Sequence, residues 1–277
     1  MSWGQWGKKL NTSEMLDLIH FCIDTTITTF DHADIYGDYT TEAEFGKALI
    51  QSAGVRHKIQ LISKCGIQYI GNSRPNRVKH YDYSKKYIIW SVEESLRNLQ
   101  TDYLDLLLLH RPSPLMNPIE ISEAIQQLKQ EGKILDFGIS NFTPLQTELI
   151  KSEVAVSVNQ IEASLTQFSA LLDDSLQYMQ LNNIQPMAWS STGGYFKKEN
   201  DQNARIKNEL ERLCKKYQAS ENQLLSAWLY KHPSNIIPVI GTTNKARIKA
   251  SVQAQSMELD LEDWFALLVS SQGHKVP

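Results

Sequence analysis

The sequence predicts an α/β protein whose parallel strands close into one (β/α)8 TIM barrel. Short apolar runs alternate with amphipathic helical segments, and the runs are apolar on both faces, as in buried parallel strands. The G-x-G-x-x-G loop of an open doubly wound sheet, the competing architecture, occurs nowhere in the chain. The 277 residues, 42% hydrophobic, show no linker or repeat. We therefore predict a single domain over residues 1–277.

Seven strands are predicted in order along the chain. They are Thr28 to Asp31, Ile59 to Lys64, Leu104 to His110, Ile134 to Ser140, Val154 to Gln160, Ile184 to Ser190 and Ile236 to Gly241. Helix start signals separate them; Pro144, for example, suits the first turn of a helix because it lacks an N–H. Strand followed by helix, repeated, predicts right-handed parallel crossovers. The eighth strand is expected at Met1 to Trp6, just before the first predicted helix.

Composition narrows the class of protein. A net charge of −3, with no basic stripe, argues against a nucleic-acid partner. The three cysteines, Cys22, Cys65 and Cys214, have no paired spacing, which is typical of reduced thiols and not of a disulfide framework or a zinc site. No apolar run approaches the roughly 20 residues of a membrane span. We expect a cytoplasmic protein with no metal site, no nucleic-acid partner and no membrane partner.

Ionisable side chains stand where three predicted strands end, and a barrel places its active site at these carboxyl ends. Asp31 with Tyr36 follows the first strand, Lys64 ends the second and His110 ends the third. A phenol has a pKa of about 10, and a neighbouring ammonium lowers it. Lys64, held by Asp31, would thus make Tyr36 a better acid, and His110 would hydrogen-bond the reacting oxygen. This group suits reduction of a carbonyl.

These residues carry a resemblance to the aldo-keto reductase family, in its bacterial oxidoreductase branch with an Asp-His-Ala-Asp-Ile-Tyr-Gly motif. The matching segments are Asp31 to Gly37, Ser63-Lys64, Leu109 to Pro112, Gly138 to Phe142, Asn159-Gln160 and Gly241 to Arg247. The resemblance implies an NADP-dependent reductase of small aldehydes or ketones. It makes Asp31, Tyr36, Lys64 and His110 the catalytic tetrad, with Tyr36 as general acid.

The resemblance also implies the contacts of the cofactor and substrate. The nicotinamide carboxamide is assigned to Ser140, Asn141 and Gln160, and the nicotinamide ring to Trp189. The pyrophosphate is assigned to the small residues Ser190, Ser191, Gly193 and Gly194. The adenosine end is assigned to Gly241, Thr242, Thr243 and Arg247, with Arg247 facing the 2′-phosphate of NADP. Trp3 is expected to line the substrate pocket.

Two departures from the family pattern qualify these expectations. Members normally begin with a hairpin and a full first strand, whereas Met1 falls inside that strand, so a barrel truncated within its first strand is expected. After Arg247 the usual Glu-Asn is replaced by Ala250-Ser251, which makes NAD the alternative cofactor.

Two other functions stay open from the sequence. One is a nucleotide-binding regulatory or redox-sensor protein with little turnover. The other is Schiff-base chemistry at Lys64, which requires a Lys64 free of Asp31. A monomer is expected in each case.

Overall fold

The computed structural model describes residues 3–277. The chain forms two compact units, the first ending at Asn159 and the second comprising Gln160–Pro277. That residues 1–277 form one domain stays a prediction.

The first unit alternates helices with strands, as the sequence predicts. Its elements are α1 (Thr12–Asp24), β1 (Thr29–Asp31), α2 (Thr41–Leu49), β2 (Gln60–Cys65), β3 (Ile67–Gln68), β4 (His80–Tyr81), α3 (Lys85–Leu99), β5 (Leu104–Leu109), α4 (Pro118–Gln130), β6 (Ile134–Ser140), α5 (Pro144–Lys151) and β7 (Val158–Glu162), which crosses into the second unit. Strands β1, β2, β5 and β6 pair in parallel in that order. Strands β3 and β4 form a separate antiparallel pair.

Helix starts in this unit follow the capping chemistry of the sequence. Thr143 caps α5 in a capping box with Gln146, and Pro144 occupies the first turn as predicted. The strands are nearly continuous in burial; β2, for example, is buried from Leu61 to Cys65. Burial on both faces explains why these strands read as uninterrupted apolar runs.

The expectation of a strand over Met1–Trp6 is wrong for the part that the structure describes, which starts at the third residue. Residues 3–6 form a bend and a turn, and Leu10 N donates to Trp3 O at 2.9 Å. The Trp3 ring is buried against Phe30 of β1 and Phe45 of α2, with centroid distances of 5.9 Å and 6.1 Å. Aromatic packing, and not strand pairing, therefore fixes this segment.

The second unit adds further helices and strands, with α7 and α8 following one another directly. Beyond β7 it comprises α6 (Ser175–Leu181), β8 (Gln185–Trp189), α7 (Asp201–Tyr217), α8 (Glu221–Tyr230), β9 (Ile237–Pro238), α9 (Lys245–Gln253) and α10 (Leu261–Gln272). Strand β9 pairs in parallel with β8 but is shorter than the predicted Ile236 to Gly241. Pro238 has no N–H to give to the ladder, which limits the pairing to two residues.

Helix α10 is joined to α7 by a buried carboxylate. Asp263 accepts from Arg212 at 2.6 Å, from Lys216 at 2.5 Å and from Tyr217 at 2.6 Å. Burial alone would raise the pKa of Asp263, but these three donors outweigh it and hold the pKa well below its usual range. None of the helices in residues 3–277 combines the length and hydrophobicity that crossing a bilayer requires.

Candidate active site

The parallel strands of the first unit bring three of the predicted catalytic residues to one edge. Asp31 ends β1, Lys64 lies near the end of β2, and His110 directly follows β5. Lys64 is paired with Leu108 of β5, so its side chain stands beside the carboxyl end of that strand. Tyr36 lies in the loop between β1 and α2. The structure thus brings together the four residues that the sequence predicts.

The Lys64 ammonium is the centre of this group. Its Nζ lies 2.7 Å from each carboxylate oxygen of Asp31, 2.8 Å from the carbonyl oxygen of His32 and 3.4 Å from the Tyr36 hydroxyl. Burial lowers the pKa of Lys64, but the charge of Asp31 and the contact with Tyr36 outweigh it, and the net pKa is raised. Lys64 is therefore a cation at neutral pH. Schiff-base chemistry requires a Lys64 free of Asp31, and the structure shows the opposite.

The Tyr36 phenol corrects one step of the sequence argument. Lys64 does lower the pKa of Tyr36, but burial is the larger effect and raises it, and the charge of Asp31 raises it further. The net pKa of Tyr36 is above 10. The phenol is consequently protonated throughout the neutral range, which is the form that a proton donor needs.

His110 is held as a neutral imidazole beside Tyr36. The two rings meet edge to face, with centroids 5.8 Å apart at 78°. Burial lowers the pKa of His110 well below its usual value, and the positive charges of Lys64 and Arg111 lower it further. Nδ1 of His110 is buried and has no hydrogen-bond partner among the described residues. A neutral ring keeps one N–H and one free lone pair, so it can donate to a carbonyl oxygen without adding charge.

Two polar groups near this site were missed by the sequence analysis. The His32 carbonyl accepts from Lys64, and a backbone carbonyl leaves no signal in the side-chain pattern. Asp34 is buried, and it accepts from Ile35 N at 2.7 Å and from two side chains of α3, Ser91 Oγ at 3.1 Å and Tyr87 Oη at 3.3 Å.

At the end of β6, the first unit holds two residues that the resemblance assigns to the nicotinamide. Ser140 is buried, and Asn141 Nδ2 donates to its Oγ at 2.7 Å. Asn141 has φ 64°, a left-handed conformation that asparagine tolerates better than most residues. Asn159 Nδ2 holds this turn through the Phe142 carbonyl at 2.9 Å, while Asn159 Oδ1 is buried with no partner among the described residues. Asn159 lay within the matching motif, but its holding role was not predicted.

In the second unit, Gln160 is buried in β7 and Trp189 ends β8 half-buried. The turn that follows β8 contains Ser190, with φ 56°, and Gly193, also with φ 56°. A side chain at Gly193 would place its Cβ 1.9 Å from Thr166 Oγ1, so only glycine fits this position.

The backbone amides of this turn are partly engaged. Gly193 N donates to Ser190 O at 2.6 Å, and Gly194 N donates to Thr166 Oγ1 at 3.0 Å. In this conformation both amides already have an acceptor within the second unit. The Ser191 hydroxyl donates to Val239 O at 3.4 Å.

The predicted adenosine contacts lie at the start of α9. Asn244 caps this helix by accepting from Arg247 N at 3.0 Å, and Thr242 Oγ1 accepts from Asn244 N at 3.1 Å. Gly241 and Thr243 lie in the same segment, between β9 and α9. The Arg247 side chain is exposed, in the third position of the helix. In residues 3–277, no group of three or more His, Cys, Asp or Glu side chains is arranged to hold a metal ion.

Comparison with known proteins assigns the chain to a family. The family model described as "Aldo/keto reductase family" matches residues 1–268. The chain therefore belongs to the aldo/keto reductase family, and it is an oxidoreductase enzyme.

Curated bacterial relatives match along nearly the whole chain. The "Uncharacterized oxidoreductase YcsN" of Bacillus subtilis is 44% identical over 96% of this chain and 90% of its own length. A "6-dehydroglucose reductase" of Agrobacterium fabrum is 39% identical over 93% of this chain and 88% of its own length.

Solved structures give the same fold. The thermostable aldo-keto reductase Tm1743, solved with the inhibitor epalrestat, has a TM-score of 0.82 and 24% identity over 97% of this chain and 93% of its own. An aldo/keto reductase from Klebsiella pneumoniae, solved with NADP and acetate, has a TM-score of 0.75 and 24% identity over 96% of this chain and 87% of its own. These likenesses confirm the predicted α/β TIM-barrel fold class.

The buried Asp34 generates a testable dependence of stability on pH. Burial and the neighbouring Glu42 raise its pKa from 3.8 to about 7, against the opposing charge of Arg74. Between these values the unfolded chain releases the proton while the folded chain keeps it. Stability contributed at this position therefore falls as pH rises from about 4 to about 7 and is constant above.

We expect Asp34→Asn, which mimics the protonated acid, to lose this dependence. The free energy of unfolding of the variant minus that of the wild type should rise with pH by up to about 1.4 kcal/mol per pH unit within this window. Urea unfolding of both proteins at pH 4.5, 6 and 8 measures it. A difference that does not change with pH would contradict the raised pKa.

Proposed function

We propose that this protein reduces small aldehydes or ketones to alcohols with NADPH, and that Tyr36 donates the proton to the carbonyl oxygen. The observation that carries the proposal is the buried Lys64 ammonium, held by Asp31 at 2.7 Å and placed 3.4 Å from the Tyr36 hydroxyl. A phenol that loses its proton beside a fixed cation gains electrostatic stabilisation as its negative charge develops.

Each of the four residues in the first unit has a separate role in the proposed reaction. Tyr36 releases its proton to the carbonyl oxygen, and Lys64 stabilises the phenolate that remains. Asp31 keeps Lys64 in place and balances its charge when no phenolate is present. The neutral His110 donates a hydrogen bond that orients the carbonyl oxygen towards Tyr36.

The nicotinamide nucleotide, when bound, supplies the hydride equivalent for the carbonyl carbon. The turn after β6 fits a nicotinamide carboxamide, because it combines Ser140 and Asn141 with the buried, unpartnered Oδ1 of Asn159. The remaining contacts that we propose are in the second unit: Gln160, Trp189, Ser190, Ser191, Gly193, Gly194, Gly241, Thr242, Thr243 and Arg247. NADP is also present in the solved Klebsiella relative, which supports the choice of a nicotinamide cofactor.

Small carbonyl compounds are the proposed substrates. The proposed enzyme is a monomer located in the cytoplasm. The name of the Agrobacterium relative makes 6-dehydroglucose a substrate to test first. The three free cysteines fit a reducing compartment. Trp3 stays a predicted substrate contact, although its observed contacts are those of a core side chain against Phe30 and Phe45. A fluorescence titration with NADPH and NADH, followed by turnover of 6-dehydroglucose, methylglyoxal and glyceraldehyde, tests the proposal.

Replacing the proton donor gives the direct test of the mechanism. We expect Tyr36→Phe to lower kcat on the order of 10²-fold or more, the scale of general acid catalysis, with little change in the Kd of NADPH. Tyr81→Phe is the matched control, because Tyr81 packs against the same apolar cluster of Ala33, Ile35 and Ile67 as Tyr36 does. Full turnover by Tyr36→Phe would remove Tyr36 from the mechanism.

Cofactor preference depends on the exposed guanidinium of Arg247. A charge-assisted hydrogen bond from this guanidinium to the 2′-phosphate of NADPH is worth roughly 1.5 to 3 kcal/mol. We expect Arg247→Ala to weaken NADPH binding by about tenfold to a hundredfold and to leave NADH binding nearly unchanged.

The measurement is the ratio of dissociation constants for the two cofactors in wild type and variant. Lys207→Ala, which removes an exposed positive charge from α7, controls for the general field of the protein. Equal weakening of NADPH and NADH would place Arg247 elsewhere than at the 2′-phosphate.

A further inference from the structure

The residues directly after Tyr36 form an unusual backbone turn. Gly37, Asp38 and Tyr39 have φ values of 65°, 58° and 67°, so three consecutive residues adopt the left-handed conformation. Only glycine adopts this conformation without steric cost, and a tyrosine does so least readily of the three. A turn of this kind persists when the surrounding structure holds it. We call residues 37–39 the left-handed turn.

The loop between β3 and β4 supplies the first set of holding contacts. Within it, residues 69–76 are here called the clasp loop. Asp38 Oδ2 accepts from Asn72 N at 2.8 Å and from Ser73 N at 3.2 Å, and Ser73 Oγ donates to Asp38 O at 2.8 Å. Gly71 passes so close that a Cβ there would lie 2.0 Å from Asp38 Oδ1. The clasp loop therefore holds Asp38, the middle residue of the left-handed turn, through these hydrogen bonds and this close packing.

Arg74 supplies the second set of contacts. Its guanidinium carbon lies 3.6 Å from the centre of the Tyr39 ring, and Tyr39 Oη accepts from Tyr69 N at 3.2 Å. Arg74 Nη1 also donates to Tyr87 Oη of α3 at 2.8 Å. The guanidinium lies 4.9 Å from the Trp90 ring, on the same helix. Arg74 thus joins the last residue of the left-handed turn to a rigid helix.

The left-handed turn directly follows the proposed proton donor in the chain, and hydrogen bonds from the two residues beyond the turn return to Tyr36. The Tyr36 carbonyl accepts from Thr40 N and Thr41 N, both at 3.2 Å. The Tyr36 hydroxyl lies 3.4 Å from Lys64 Nζ, near the long limit of a hydrogen bond. A small relaxation of the turn would separate these two groups.

We propose that Arg74 and Asp38 are positioning residues for Tyr36: the clasp loop holds the left-handed turn and thereby keeps the Tyr36 hydroxyl against Lys64. This inference rests on the proposed role of Tyr36 as proton donor. Neither residue belongs to the predicted tetrad or to the predicted cofactor contacts.

The test is a double-mutant cycle with Arg74→Met, Tyr36→Phe and the double variant, which measures coupling between the two positions. Methionine keeps much of the length of the side chain but removes the charge and its donors. The rate is followed with NADPH and methylglyoxal, or with 6-dehydroglucose if that is the better substrate of the wild type. We expect Arg74→Met to lower kcat by about 10- to 100-fold, the scale of a misplaced reacting group, with NADPH affinity unchanged.

Arg56→Met is the matched control for losing a stacked arginine. The Arg56 guanidinium lies 3.8 Å from the Tyr103 ring centre and pairs with Asp105 at 2.8 Å, near the amino ends of β2 and β5. It shares the chemistry of Arg74 but not its place beside Tyr36. We expect this variant to be less stable and to keep the kcat of the wild type.

A second pair of variants tests the Asp38 contact independently. Asparagine retains an acceptor oxygen and tolerates the left-handed conformation, whereas alanine does neither. We expect Asp38→Asn to stay within a few-fold of wild-type kcat, and Asp38→Ala to fall as far as Arg74→Met.

The outcomes separate this inference from the proposed function. A loss of kcat from Arg74→Met in the wild type, absent in the Tyr36→Phe background, supports positioning through Tyr36. An equal loss in both backgrounds, or no loss from Arg74→Met in the wild type, overturns this inference and leaves the proposed role of Tyr36 intact. Full turnover by Tyr36→Phe overturns the proposed function instead, and this inference with it.

Discussion

The buried ion pair between Lys64 and Asp31 is the interaction on which the rest of the site depends. An unpaired ammonium at this depth would lose its hydration without compensation and would be driven to its neutral form. Asp31 prevents this, and the His32 carbonyl satisfies a further Lys64 donor. The same carboxylate has a cost for the chemistry, because its negative charge raises the pKa of Tyr36 that Lys64 lowers. The pair therefore keeps the Lys64 cation beside the Tyr36 phenol while the phenol stays protonated.

This balance changes the way in which the proposed acid, Tyr36, would release its proton. The sequence suggests a phenol with a depressed pKa, whereas the structure shows a phenol that burial keeps protonated. Its acidity then depends on stabilising the phenolate as it forms, which is a short-range effect of Lys64 at 3.4 Å. Such an effect is sensitive to the position of the hydroxyl, and this sensitivity is the physical reason that the turn after Tyr36 matters.

Much of the fold, and the proximity of the four proposed catalytic residues, could be predicted because both leave a local signal in the sequence. Buried parallel strands such as β2 and β5 are nearly continuous apolar runs, with Lys64 near the end of β2 and His110 directly after β5. Parallel pairing then brings those residues to one edge without further information. The prediction of a strand before α1 was wrong, because the apolar residue Trp3 is buried by aromatic packing and not by strand pairing. The two kinds of burial leave the same apolar signal in the sequence.

What the sequence could not give depends on contacts between segments distant in the chain. Burial raises the pKa of Tyr36 and Lys64 lowers it, and which effect is larger depends on the three-dimensional arrangement. The hydrogen bond from the Gly194 amide to Thr166 could not be predicted for the same reason.

The left-handed turn also depends on contacts that are distant in the chain. Gly37 signals a turn, but nothing local explains why Asp38 and Tyr39 also adopt the left-handed conformation. The explanation lies more than thirty residues away, where Gly71 leaves room for the Asp38 carboxylate and Arg74 covers the Tyr39 ring. The loop that carries the proposed proton donor is thus joined to α3 through contacts that no local pattern encodes.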